Sequence, residues 1–136
     1  MKLLTVKSRQ DFLKIQNDYK IKYYSNNFLI LLLESNTKSI NQQTIINLNN
    51  EYIRLGITAT KKIDKRAVVR NTIKRKVREI FRTLVKNNTD LFVNNCDYEV
   101  ITRKSILDIS FTELQNEFIK TLQNIKEQYG TRNINK

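Results

Sequence analysis

Residues 66–86 constrain the fold of this chain more than any other stretch. Val69, Ile73, Val77, Ile80 and Leu84 recur at helical spacing. At 100° per residue they share an arc of about 80°, so the segment predicts an amphipathic helix with one face committed to a core. The rest of its surface is cationic. Arg70, Lys74, Arg78, Arg82 and Lys86 stand four apart and walk from one edge of the stripe around the far side, joined by Asn71 and Arg75. Between Lys61 and Lys86 lie eleven basic residues and two acids, Asp64 and Glu79, so these 26 of the 136 residues carry +9 of the chain's +12.

Exposed helix faces usually mix signs through Glu–Lys pairs one turn apart. Here like charges occupy those positions, which weakens the free helix slightly and which a bound polyanion would offset. The competing readings are a membrane surface, an acidic protein partner, or a plainly solvated face. The β-branched stripe and the lack of Trp disfavour a membrane. Nucleic acid is favoured.

A strand precedes this helix. From Tyr52 to Thr60, Ile53, Leu55, Ile57 and Ala59 alternate with Arg54, Thr58 and Thr60, the pattern of a half-buried strand. Gly56 inside it allows close approach to the backbone. Ser8 to Asp11 reads as a capping box opening a helix over 9–18, with Phe12 and Ile15 on one face. Lys20 to Leu33 has strand composition broken by the turn-like Ser25-Asn26-Asn27, and Phe28–Leu33 reads as a strand buried on both faces or nearly so. Residues 35–50 are a polar loop in which Ile45, Ile46 and Leu48 offer a hairpin extension. Asp97–Thr102 is a short strand. Ser110-Phe111-Thr112-Glu113 is a second capping box, opening a helix with the stripe Leu114, Phe118, Leu122, Ile125 and Tyr129, which Gly130 ends. The expectation is one α+β domain over residues 1–130, a mixed sheet with helices packed on it in the order α-β-β-β-α-β-α, and a loose tail at 131–136.

Several functions are excluded by composition. The longest apolar run, Phe28 to Leu33, falls far short of the roughly 18 residues that span a bilayer. The N-terminus lacks the apolar stretch of a signal peptide, and the single Cys96 permits no intramolecular disulfide and suits a reducing cytoplasm. With no His and one Cys, neither a Cys/His zinc site nor a Ser-His-Asp or Cys-His pair can be built. If this chain takes part in a reaction, something else carries the chemistry, and no side chain is assigned a catalytic or metal-binding role.

The run Arg54-Leu55-Gly56-Ile57-Thr58-Ala59-Thr60-Lys61-Lys62, followed by Ala67-Val68-Val69-Arg70-Asn71-Thr72-Ile73-Lys74-Arg75-Lys76-Val77-Arg78-Glu79, resembles the bacterial ribonuclease P protein component. That family pairs an R-hydrophobic-G-hydrophobic strand and K-K with a helix opening R-N-R-x-K-R-x-x-R-E. Phe12, Phe28–Leu33 and the stretch from Asp97-Tyr98 to Arg103-Lys104 also fall where the family has counterparts. Three departures stand out. Thr72 replaces the second Arg of R-N-R, Gln16 and Leu31 stand where relatives often carry aromatics, and the loop at 39–50 is long.

The resemblance implies a ribosomal protein S5 domain 2-like fold with a left-handed β-α-β crossover around the basic helix. It implies a subunit of a ribonucleoprotein endoribonuclease that binds the catalytic RNA and the 5′ leader of precursor tRNA. The leader is removed by the RNA subunit, with Mg²⁺ held mainly by that RNA and the substrate; no DNA or membrane partner is expected. Lys61, Lys62, Lys65, Arg66, Arg70, Asn71, Lys74, Arg75 and Arg78 are the expected contacts to the catalytic RNA, with a helix-internal structural bond the competing role for Asn71. Phe12, Ile15 and Leu31 are the candidates for the leader cleft, with ordinary core packing the competing role. Arg103 and Lys104 could reach RNA or simply be solvated. A non-catalytic RNA-binding module, such as a ribosomal protein of related fold, is the alternative function.

Overall fold

The computed structural model describes residues 1–35 and 51–134. Its elements are β1 (Lys2–Thr5), α1 (Arg9–Asp18), β2 (Ile21–Tyr24), β3 (Phe28–Glu34), β4 (Tyr52–Thr58), α2 (Ala67–Asn87), β5 (Cys96–Thr102) and α3 (Phe111–Ile134), with 3₁₀ turns at Thr89–Leu91 and Lys104–Asp108. The sheet order is β1-β4-β5-β3-β2. β1, β4 and β5 are parallel, while β3 runs against β5 and β2 against β3.

Strand alternation assigns the two faces. Ile53, Leu55 and Ile57 of β4, Tyr98 and Val100 of β5, and Phe28, Ile30 and Leu32 of β3 form the main core with the apolar stripes of α2 and α3. Within it the rings of Phe28 and Phe118 stack at 4.1 Å. α2 buries more than its predicted stripe, because Phe81 and Val85 widen the apolar face toward the Lys74–Arg78 edge. α1 lies on the opposite face, over a smaller cluster of Val6, Ile15, Leu31 and Leu33. Ser8 accepts from the Asp11 N–H at 3.1 Å, and Ser110 from the Glu113 N–H at 3.2 Å, so both capping residues cap as expected.

The two faces decide a question of handedness. β2 is parallel to β1, since it is antiparallel to β3 and β3 to β5. The connections β1-α1-β2 and β4-α2-β5 therefore cross the sheet in the same direction between parallel strands, with their helices on opposite faces. They are of opposite hand, so one of them departs from the right-handed rule. The family resemblance expects that one to be the crossover through α2.

Three sequence expectations change. β1 was not anticipated, because Leu3-Leu4 is too short an apolar signal, and it adds an edge strand at the start of the order. β4 is buried on both faces, because α1 covers the second: Arg54 is only 4% exposed. Its Nε lies 3.0 Å from Asp97 Oδ1 and its Nη2 3.2 Å from Asp11 Oδ2, which neutralises the buried charge. Gly130 does not end the last helix, which runs on to Ile134. A β-carbon at Gly130 would meet nothing within 4 Å, and a lone glycine costs a helix only about 1 kcal/mol relative to alanine. The hairpin extension at Ile45, Ile46 and Leu48, and the long loop at 39–50, lie outside the described residues.

Candidate nucleic-acid interface

The basic segment is organised at its start. Ile63, 5% exposed, anchors the loop between β4 and α2 in the core. Asp64 binds Arg66 twice, accepting from Nε at 3.0 Å and Nη2 at 2.9 Å, and also accepts from the Arg66 N–H at 2.8 Å. These contacts hold its carboxyl down at about 2. Arg70 reaches back along the helix and donates through Nη1 to the carbonyls of Asp64 at 2.9 Å and Lys65 at 2.8 Å. Arg70 is thus a strut of the loop as well as a cation on the ridge. Thr72 donates to the Val68 carbonyl at 2.9 Å, turned onto its own helix. Lys61, Lys62, Lys65, Arg66, Asn71 and Arg75 are exposed, whereas Arg70, Lys74 and Arg78 are half-buried.

Lys74 and Arg78 are half-buried because they line a groove of about 530 Å³. β1 pairs β4 only as far as Leu55. Beyond that point Ile57, Thr58 and Ala59 form the floor, Lys74 and Arg78 of α2 one side, and Arg9, Phe12 and Gln16 of α1 the other. Phe12 lies directly over Gly56, where a β-carbon would stand 2.5 Å from Phe12 Cε1. The close approach expected at Gly56 is made by this ring.

Of the cleft candidates, Ile15 and Leu31 are corrected to the competing role of ordinary core. Ile15 is fully buried and Leu31 is 3% exposed, both under α1 in the smaller core. Of the three candidates Phe12 alone, half-buried, borders the groove. The sequence reading missed Thr58 and Glu99 and treated Gln16 only as a lost aromatic. Glu99 is buried beneath the groove wall and accepts from Thr58 Oγ1 at 2.8 Å and Gln16 Nε2 at 3.1 Å. Burial pushes its carboxyl up, opposed by the bonds from Thr58 and Gln16. The available signal was a lone acid among apolar residues of a strand, with a Gln on the helix that covers it. Cys96 is buried, and desolvation pushes its thiol up to about 12, so it is unreactive.

A ridge of cations, some tied by hydrogen bonds and others exposed, beside a groove with an aromatic wall suits a polyanion carrying flat bases. Comparison with known proteins decides the family. The family model described as Ribonuclease P matches residues 1–126. The ribonuclease P protein component of Rickettsia prowazekii is 30% identical over 121 residues, covering 88% of this chain and 93% of that protein. This chain belongs to the ribonuclease P protein family. Among solved structures, the Staphylococcus aureus RNase P protein superposes with a TM-score of 0.68 at 27% identity, covering 90% of this chain and 94% of that one. The Thermotoga maritima RNase P protein gives 0.67 at 27% identity, covering 88% and 96%. The mixed α+β fold expected from the ribonuclease P resemblance is therefore the fold observed. No helix among the described residues is long and apolar enough to cross a membrane.

Proposed function

We propose that this chain is the protein subunit of ribonuclease P, which binds the catalytic RNA and the 5′ leader of precursor tRNA and so promotes removal of the leader to give the mature 5′ end. The ridge formed by Lys61, Lys62, Lys65, Arg66, Arg70, Asn71, Lys74, Arg75 and Arg78 grips the catalytic RNA through its phosphates. Arg supplies a planar fork for paired phosphate oxygens, and the lysines contribute to the summed field. The groove takes the single-stranded leader, with Phe12 as the stacking surface and Lys74 and Arg78 facing its backbone. The RNA subunit performs the cut, with Mg²⁺ held by that RNA and the substrate, and the complex works in the cytoplasm. One observation supports the leader site best: Lys74 and Arg78 of the basic helix and the aromatic of α1 line the same groove, so the ridge that meets the catalytic RNA continues into the groove.

Reconstitution tests it. Added to a bacterial ribonuclease P RNA, the protein is expected to restore leader removal at Mg²⁺ concentrations where the RNA alone is slow. The protein without RNA is expected to cut nothing. Binding to the RNA with no gain in cleavage would favour the ribosomal-protein-like alternative.

A further inference from the structure

Beyond the groove, the α1 face of the sheet continues toward β2. Thr58 of β4 pairs with Ile101 of β5, Ile101 with Leu29 of β3, and Leu29 with Tyr24 of β2. These four residues form one row across the sheet, about 14 Å long at the usual strand spacing. Thr58, Leu29 and Ile101 are half-exposed. The row ends in a cluster of aromatic rings and cations. Tyr24 is 60% exposed and Tyr19 39%. Lys22 Nζ lies 5.2 Å from the Tyr24 ring centre and 5.6 Å from that of Tyr19, and Arg103 Cζ lies 5.5 Å from the Tyr24 ring.

The cluster is held in place. The turn after Tyr24 is tied to α3, because Glu117 accepts from Ser25 Oγ, from the Asn27 N–H at 3.1 Å and from Asn27 Nδ2 at 2.6 Å. The Arg103 N–H donates to the Asn27 carbonyl at 3.0 Å. A largely exposed ring on a fixed hairpin, with Lys22 and Arg103 within cation–π reach of its centre, offers a flat surface to a base and positive charge to a phosphate. An acidic peptide would find the cations but leave the ring unused.

We propose that Tyr24, flanked by Lys22 and Arg103, is a second stacking site for single-stranded RNA, which holds the distal part of the leader after it has crossed the sheet from the groove. This rests on the leader occupying the groove. It adds that the leader contact extends across four of the five strands, from the Lys74–Arg78 end at β4 to Tyr24 at β2.

The test uses the protein assembled with a ribonuclease P RNA and precursor tRNAs whose leaders are lengthened one nucleotide at a time. Tyr24→Ala should bind short-leader substrates and mature tRNA like wild type, and lose about tenfold in affinity once the leader is long enough to reach β2. Tyr24→Phe, which keeps the ring, should behave like wild type at every length. Tyr24 is exposed, so its replacement leaves the core intact. Equal affinity of Tyr24→Ala and wild type at all leader lengths would overturn the proposal. So would an equal loss for mature tRNA, which would give the patch to the tRNA body or the catalytic RNA. Phe12→Ala separates the two ideas: if it weakens leader binding while Tyr24→Ala does not, the groove stands and the extension falls. If Tyr24→Ala alone weakens long-leader binding, Tyr24 is a leader contact in its own right and the path from the groove is overturned.

Discussion

Replacing Gly56 by alanine tests the packing on which the groove depends. The added carbon would stand 2.5 Å from Phe12 Cε1, 2.8 Å from Phe12 Cζ and 3.2 Å from Val6 Cβ. Carbon atoms rest at about 3.5–4.0 Å, so the ring has to retreat by roughly 1 Å. The smaller core packs against one side of the ring and the groove borders another, so the ring is expected to retreat toward the groove. Overpacking of this kind costs about 1–3 kcal/mol. Urea unfolding of Gly56→Ala should show that loss, and in a Phe12→Ala background the same substitution should cost little or stabilise slightly. Its coupling to Phe12 should then exceed the roughly 0.3–0.5 kcal/mol within which independent sites add. In the assembled enzyme, Gly56→Ala should weaken binding of leader-bearing tRNA and spare mature tRNA, because the displaced ring narrows the groove. Strict additivity with Phe12→Ala would refute the contact, and full stability with unchanged leader binding would refute the link from packing to function.

Three further outcomes follow from the same geometry. Arg54→Leu should destabilise the fold by about 3–5 kcal/mol in chemical denaturation, because it leaves Asp97 buried without its partner. Affinity for the catalytic RNA should fall linearly on a log–log plot against salt, and Lys74→Ala or Arg75→Ala should each lower the slope by about one in a binding titration. Glu99→Gln bears on pH. Burial raises the folded-state carboxyl above its ordinary 4.5, so the native state takes up this proton before the unfolded chain does. Stability therefore declines as pH rises from about 4.5 through the raised value. The variant should lack that decline, gaining on wild type at neutral pH and losing the gain near pH 4, as followed by thermal unfolding across that range.

The elements with a local physical signal were legible. α1 and α3 follow from Ser8 and Ser110 at their starts, and α2 from a stripe that repeats over about four turns. What escaped depends on partners distant in the chain. Arg54 looked like a solvent-facing residue because nothing near it predicts Asp11 and Asp97, which meet it only once α1 covers the sheet. Ile15 and Leu31 carry the composition of a cleft lining and of a core alike, and only the seating of α1 settles that they are core. Gly56 announced a close approach without naming Phe12. The charge ridge was readable residue by residue, but not that Lys74 and Arg78 would share a groove with an aromatic from the first helix.

The most direct test of the account is to find where the leader lies. A precursor tRNA carrying one photoreactive nucleotide in the leader near the cut site is bound to the reconstituted enzyme and irradiated, and the cross-linked peptide is identified by mass spectrometry. Attachment to the α1 segment around Phe12 and Gln16, or to the end of β4 at Ile57–Ala59, is the predicted result. Attachment only to the opposite side of α2, around Val68 and Phe111, with none in the groove, would contradict the central claim.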